Sequence, residues 1–269
     1  MDAELNEKSR MELFPNISAQ LRMAMSTLHM AAQQLASPEE RRKDPELDQK
    51  AAFLDQSYYR LLRLVNELTA ASWIREERKF ELRNRDLVEL LREVYELSLS
   101  LAEPLGLEIS LFCEPEELIC AMDRGALEQL LYHLLSNAMK YTPRGGKIRL
   151  ELKPLGERLQ ITVRDTGKGI APEELERLFE PGSAGRPPIP PQGLGLGLRI
   201  CQCIAEGHGG VLLADSTPGK GTCFTLSLPR RLVENRISDV PFEYTGGFNA
   251  AKMQLADVLP ASAFRLGQP

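Results

Sequence analysis

Three short stretches of this sequence carry side chains suited to holding a polyanion together with a hard cation. In "HLLSNAMKYT", His133, Asn137, Lys140 and Tyr141 recur at i, i+4, i+7 and i+8, which places them on one face of a helix. A neutral amide oxygen such as that of Asn137 suits Mg²⁺, which keeps several waters and completes its shell from phosphate oxygens. Lys140 adds a point charge for the phosphates. In "DTGKGI", Asp165 ends an expected strand, where a carboxylate can accept a hydrogen bond from the exocyclic amine of adenine. Gly167 and Gly169 beside it permit positive φ and close approach of backbone to a ring. In "QGLGLGLRICQCIAE", Gly193, Gly195 and Gly197 lead into a helix, whose unpaired N–H groups and positive dipole end favour phosphate.

Each stretch alone has a plainer reading: an exposed helix face, a tight turn, a surface loop. Two familiar glycine-rich alternatives are excluded. A dinucleotide fingerprint needs a strand directly before its glycines, where this chain has "RPPIPP", and no G-x-x-x-x-G-K-[ST] occurs.

The elements needed to position these residues are legible from about residue 86 to 229. "VELLREVYELSLSLAEPLG" has the pattern of a helix ending near Gly106, "LEISLFCE" of a strand, and "DRGALEQLLYHLLSNAMKYT" of a helix beginning at Asp123. "GKIRLELKPLGERLQITVRD" alternates on both sides of Gly156, with Ile148, Leu150 and Leu152, then Leu159, Ile161 and Val163, as a hairpin with one buried face does. A helix at 172–179, a proline- and glycine-rich loop at 181–197, a helix at 198–206 and strands near 211–214 and 222–228 complete the pattern. The fold class expected is α+β: a two-layer α/β sandwich of mixed strands under helices.

Upstream, Leu21, Met25, Leu28, Ala32 and Leu35 recur at helical spacing up to a turn at "SPEERRKDPE". A second stripe contains Phe53, Leu54, Leu61, Leu64, Val65 and Leu68 and runs to about Trp73. A lone helical hairpin cannot enclose its own apolar face, so residues 13–73 are expected to form a homodimeric four-helix bundle; the alternative is packing on the same chain downstream. The domain division expected is 1–75 hairpin, 76–85 joint, 86–229 sandwich and 230–269 extension. The extension has no clear period, but "FEYTGGFNAAKMQLADVLPASAF" has enough apolar residues to dock.

The 269 residues are 43% hydrophobic and 26% charged, as in an ordinary globular chain, and a net charge of -5 argues against nucleic acid as a partner. No apolar run is long enough to span a bilayer and the start lacks a secretory pattern, so a cytoplasmic location without a membrane segment is expected. The five cysteines form no C-x-x-C pair, and Cys201 and Cys203 point to different sides of a helix, which favours reduced packing thiols over a metal site.

The order of "HLLSNAMKYT", "DTGKGI", "LFEP" and "GLGLGL" over about residues 120–228 resembles the Bergerat-type (GHKL) ATP-binding domain of sensor histidine kinases. The resemblance implies ATP and Mg²⁺ as cofactors, with Asn137 binding the metal through the nucleotide, Asp165 reading adenine, and Lys140, Tyr141, Gly167, Gly169, Gly193, Gly195 and Gly197 also around the nucleotide. It implies a mobile lid from Phe179 to Gly197, with Arg186 as a candidate phosphate contact. His133 falls where the family often has an Asn, His or Glu beside the metal, and is the candidate catalytic residue.

The upstream hairpin resembles the family's dimerisation and phosphotransfer element, whose usual signature is Ser-His-Glu-Leu-Arg-Thr-Pro-Leu. Here the aligned residues are Ser18, Ala19, Gln20, Leu21, Arg22, Met23, Ala24 and Met25. Ala19 has no nitrogen to attack a γ-phosphoryl group. Gln20 cannot take the proton that the family's acidic neighbour takes. Met23 stands where phosphatase-active members carry Thr or Asn. The reading is a histidine-kinase homologue of pseudokinase type, dimeric, binding Mg-ATP without autophosphorylation at the usual site. The alternative is an active kinase that phosphorylates His29, or a Ser or Thr of itself or a partner. His29 lies ten residues beyond Ala19 and about 80° around the helix. His208, in "EGHGG", fits a turn or C-cap. A response regulator or other signalling protein is the implied partner. No HAMP-like linker or sensory segment is legible, so the input signal is expected from elsewhere.

Overall fold

A computed structural model describes residues 2–71, 80–179, 195–234 and 249–266, with the backbone alone for residues 2–16 and 71. The chain divides into two compact units, residues 1–77 with 259–269, and residues 78–258. The C-terminal extension is therefore shared between them.

In the first unit, α1 (Asp2–Leu35) and α3 (Pro45–Ala71) pair as a hairpin, with a short α2 (Pro38–Lys43) between them. The segment expected to be a plain turn is thus itself helical. Pro38 opens α2 at a position where the missing N–H costs nothing, and Ser37 with Glu40 forms a reciprocal capping box. The Asp44 carboxylate accepts from the N–H groups of Glu46 and Leu47 at 2.9 and 3.2 Å, which starts α3. Ala52, Tyr58, Leu62, Val65 and Ala70 are buried within this unit. Leu21, Met23, Leu28, Leu35, Phe53, Leu54 and Leu61 remain exposed, Leu28 by 70% and Leu35 by 83%.

In the second unit a five-stranded sheet has the order β2-β4-β5-β7-β6. These are β2 (Glu108–Cys113), β4 (Lys147–Leu155), β5 (Arg158–Asp165), β6 (Val211–Thr217) and β7 (Gly221–Pro229). The β4–β5 hairpin turns at Gly156 with φ 58°, and β5 pairs antiparallel with β7, as β7 does with β6. β2 joins the edge parallel to β4, with Ile109 opposite Ile148 and Leu111 opposite Leu150. Ile148, Leu150, Leu152, Leu159, Ile161, Val163 and Leu226 are buried on one face, where the alternation placed the first six. Helices α4 (Leu87–Ala102), α5 (Arg124–Tyr141) and α7 (Gly197–Gly207) make the second layer. α6 (Pro172–Glu176) is shorter than its sequence pattern.

Further elements escaped the sequence. β1 (Arg83–Asp86) and β3 (Ile119–Met122) form a separate antiparallel pair. The run "RNRD" has no apolar alternation to announce it. In the extension, α8 (Ala250–Leu255) is capped by Asn249 and packs on α4 and α5, burying Ala251, Met253 and Leu255. The following 3-10 turn, Ala261–Phe264, packs on α3 in the first unit. Among the described residues no helix is long and apolar enough to cross a membrane.

Candidate functional site

The helix that carries the first motif starts where the sequence places it. Asp123 caps α5 by accepting from the N–H of Ala126 at 3.1 Å. Asp123's own N–H donates to Nε2 of His208 at 3.0 Å, and Nδ1–H of His208 donates to the Ile204 carbonyl at 2.7 Å. His208 caps the end of α7 and joins it to the start of α5. Burial holds this imidazole below its ordinary pKa, opposed by its bonds to Ile204 and Asp123, so the neutral ring with the proton on Nδ1 is the form present.

Along α5, His133 is buried, Asn137 and Lys140 are half-buried, and Tyr141 is exposed at the last turn. Among the described residues the Asn137 amide has no hydrogen-bond partner, so its oxygen is available to a ligand. Gly197 opens α7 directly over His133: a Cβ at Gly197 would stand 3.2 Å from His133 Nδ1. Two of the separated motifs therefore meet, and glycine is what lets them. His133 is enclosed by this contact rather than presented to solvent.

Asp165 ends β5 and is 6% exposed as a residue. Its Oδ1 accepts from the N–H of Gly167 at 2.8 Å and from the N–H of Thr222 at 3.2 Å, while Oδ2 has no protein donor among the described residues. Burial raises this carboxyl above the ordinary range, and the two N–H bonds and Arg164 oppose that rise. An aspartate oriented through one oxygen, with the other unused, is suited to accepting from a ligand amine.

The turn after Asp165 is bound to the end of α5 and to the β6–β7 turn. Lys168 N–H donates to the Tyr141 carbonyl at 3.2 Å, and Gly219 N–H donates to the Lys168 carbonyl at 2.8 Å. Ile170 N–H donates to Ser216 Oγ at 2.8 Å. Gly169 has φ 69°, and a Cβ there would collide with the Thr217 carbonyl, so the close approach requires glycine. A Cβ on Gly167 would meet the Tyr141 carbonyl. Gly195 has φ 68° just before α7, whereas Gly193, Arg186 and most of the expected lid lie outside the described residues.

No sequence signal singles out Lys168 or Thr222. Lys168 stands between the two glycines of "DTGKGI", and its Nζ lies 4.8 Å from the centroid of the Tyr141 ring, with Lys140 Nζ at 5.1 Å from the same centroid. Neither ammonium has a carboxylate at ion-pair distance among the described residues. Thr222 contributes a backbone N–H, which no side-chain pattern announces.

The arrangement joins an unengaged amide oxygen, two cations around an exposed aromatic ring, and an oriented carboxylate at a strand end. Those are the donors and acceptors that a magnesium-bound purine nucleotide needs, and they fit it. Residues 122–232 match the family described as histidine kinase-, DNA gyrase B-, and HSP90-like ATPase. The chain is a sensor-histidine-kinase homologue. It is 33% identical to the histidine protein kinase DivJ of Caulobacter vibrioides over 235 residues, covering 85% of this chain and 39% of DivJ. The chain thus spans well under half the length of that relative. Among solved structures, full-length ShkA in complex with AMPPNP superposes with a TM-score of 0.66 at 28% identity, over 82% of this homologue and 46% of ShkA. The histidine kinase ThkA, solved with its response regulator TrrA, aligns at a TM-score of 0.55 and 24% identity, over 85% of this chain and 65% of ThkA, a likeness of fold. The ATP-binding type of the second unit and the α+β architecture with its N-terminal helical region follow from these matches.

The segment from Ser18 to Met25 lies on α1. Ala19 and Gln20 are exposed there, and Met23 is 66% exposed. His29, ten residues on, is buried between the helices. Its ring stacks on Tyr58 at 4.0 Å, its Nε2 is 3.0 Å from Gln33 Nε2, and its Nδ1 is 3.7 Å from Asp55 Oδ1. Burial holds its pKa below the ordinary value; Asp55 opposes this and Arg41 adds to it.

Proposed function

We propose that this homologue binds Mg-ATP in its second unit and signals through a dimer of its hairpins, without phosphorylating itself at the usual position. Ala19 carries the reading: an exposed methyl group occupies the position where related hairpins present histidine, while the nucleotide-site residues keep their chemistry. Asn137 would supply an amide oxygen to the metal, Lys140 a charge to the phosphates, and Asp165 Oδ2 an acceptor for the adenine amine. When bound, Mg-ATP supplies an activated phosphoryl group. Ala19 can neither receive it nor, with Gln20 beside it, lose a proton to a base. The output is then conformational and needs the nucleotide to favour one state of the chain over another.

Dimerisation through residues 13–73 is supported by the exposed stripe of Leu21, Leu28, Leu35, Phe53, Leu54 and Leu61. A response regulator or another signalling protein is the partner that the relatives suggest, and a cytoplasmic location fits that role. Transfer to His29 is disfavoured by its burial and its stack on Tyr58, since a phosphorylated ring would need both helices to part. Incubation with γ-labelled ATP and Mg²⁺ tests the proposal. Calorimetric binding with no acid-labile label on the protein is expected, and label that persists in Ala19 protein but vanishes in His29→Ala would overturn it.

A further inference from the structure

Helices α5 and α7 pack in opposite senses and meet at three levels. At the base, the Asp123 N–H donates to Nε2 of His208 at 3.0 Å. Midway, Cys201 Sγ lies 3.8 Å from the Leu130 carbonyl oxygen. At the top, Gly197 stands over His133, with room for no more than its hydrogens. Asn137 follows one turn beyond His133, so the top level is part of the nucleotide site and the base is not. α7 has 11 residues, about 16 Å of rigid rod, and a shift at its His208 end is carried to Gly197.

The base level depends on a proton. Nδ1–H of His208 donates to the Ile204 carbonyl at 2.7 Å, so the bond from Asp123 needs the lone pair of Nε2, and one neutral tautomer serves both. A second proton would set Nε2–H against the Asp123 N–H. The Asp123 carboxylate can accept from a charged ring, but its oxygens already take the N–H groups of Ala126 and Glu81, and Ala126 opens α5. The ring is 2% exposed, and Phe80 lies 5.4 Å from it, seated where a Cβ on Gly207 would collide. Two charged groups act on it from neighbouring elements: the Asp123 carboxylate at the start of α5 favours the proton, and the Arg231 guanidinium beyond β7 opposes it. Phe80, from the segment before β1, is uncharged.

We propose that His208 is a positioning residue for the nucleotide site: its neutral ring holds α7 in register with α5, and a proton on it breaks that register and weakens nucleotide binding. The inference rests on the nucleotide reading of this unit. Proton and nucleotide then compete without touching, and by reciprocity Mg-ATP makes His208 harder to protonate.

The test measures Mg-ATP affinity by calorimetry on the full chain from about pH 8 to about pH 5.5. His208→Gln keeps an acceptor toward Asp123 but has no titrating ring; His133, Asp165 and the nucleotide are common to both chains, so their own titrations cancel. Over that interval the parent is expected to lose about fivefold more affinity than His208→Gln. His208→Phe, without an acceptor, is expected to bind about fivefold more weakly than His208→Gln at about pH 8. In the parent, ring 15N resonances should show the His208 titration midpoint moving to lower pH when Mg-ATP is added. An equal acid loss in parent and His208→Gln, or a midpoint that Mg-ATP leaves in place in a chain that binds it, overturns the proposal. Should either variant fail to fold, the titration of the parent decides. A parent chain that binds no Mg-ATP even at about pH 8 overturns the nucleotide reading itself, and this inference with it.

Discussion

The two units have met different demands. In the second unit, Asn137, Lys140, Tyr141 and Asp165 are the side chains proposed to hold the nucleotide, and glycines 167, 169 and 197 sit where a Cβ would meet a neighbouring group. In the hairpin, the segment proposed to correspond to a phosphoacceptor holds exposed Ala19, Gln20 and Met23, and the helices pair and expose an apolar stripe. On the proposed reading, recognition of a ligand is kept where a single transfer chemistry is not. A nucleotide site is a cooperative geometry drawn from several elements, whereas a phosphoacceptor is one side chain on an exposed helix face. Substitution of the latter costs no packing.

The comparison can be tested by cutting the same residue type in both units. Leu131, fully buried on α5, is expected to cost about 2–5 kcal/mol as Leu131→Ala, read from denaturant unfolding of the second unit. Leu28→Lys in the hairpin should leave that transition unmoved while weakening dimerisation by tenfold or more, read by sedimentation equilibrium or light scattering. An unchanged association constant would remove the support for a dimer through this stripe. Asp165→Asn and Asn137→Ala should each lower ATP affinity by about 1.5–3 kcal/mol, measured by calorimetry, with the fold intact. If both bind ATP as the parent chain does, the retained side of the comparison fails.

A smaller effect comes from two of the three buried histidines, His208 in the second unit and His29 in the hairpin. His208 has its folded pKa below the unfolded value of 6.5, so its stabilisation is full above that value and is lost as pH falls through the folded pKa. The slope is at most about 1.4 kcal/mol per pH unit. His208→Gln should flatten the acid limb of the second unit's stability. His29 has the same sign in the hairpin, but the nearby Asp55 carboxylate favours its charged form, so Asp55→Asn should steepen the hairpin's acid limb. At the small end, Glu46→Ala breaks an exposed i,i+4 pair with Lys50 and should leave thermal unfolding unchanged within error.

The sequence by itself determined what is local. The face shared by Asn137, Lys140 and Tyr141 follows from helical period, the β4–β5 hairpin from alternation around Gly156, and the absence of a nucleophile at Ala19 from side-chain chemistry alone. Tertiary structure decided what joins residues far apart in the chain: Thr222 completing the hold on Asp165, Gly197 covering His133, β2 running parallel to β4, and Arg41 capturing the Phe264 carbonyl. Periodicity reports which side of an element is apolar, but not which distant backbone group will satisfy a buried carboxylate or guanidinium. That choice is made only when the elements pack.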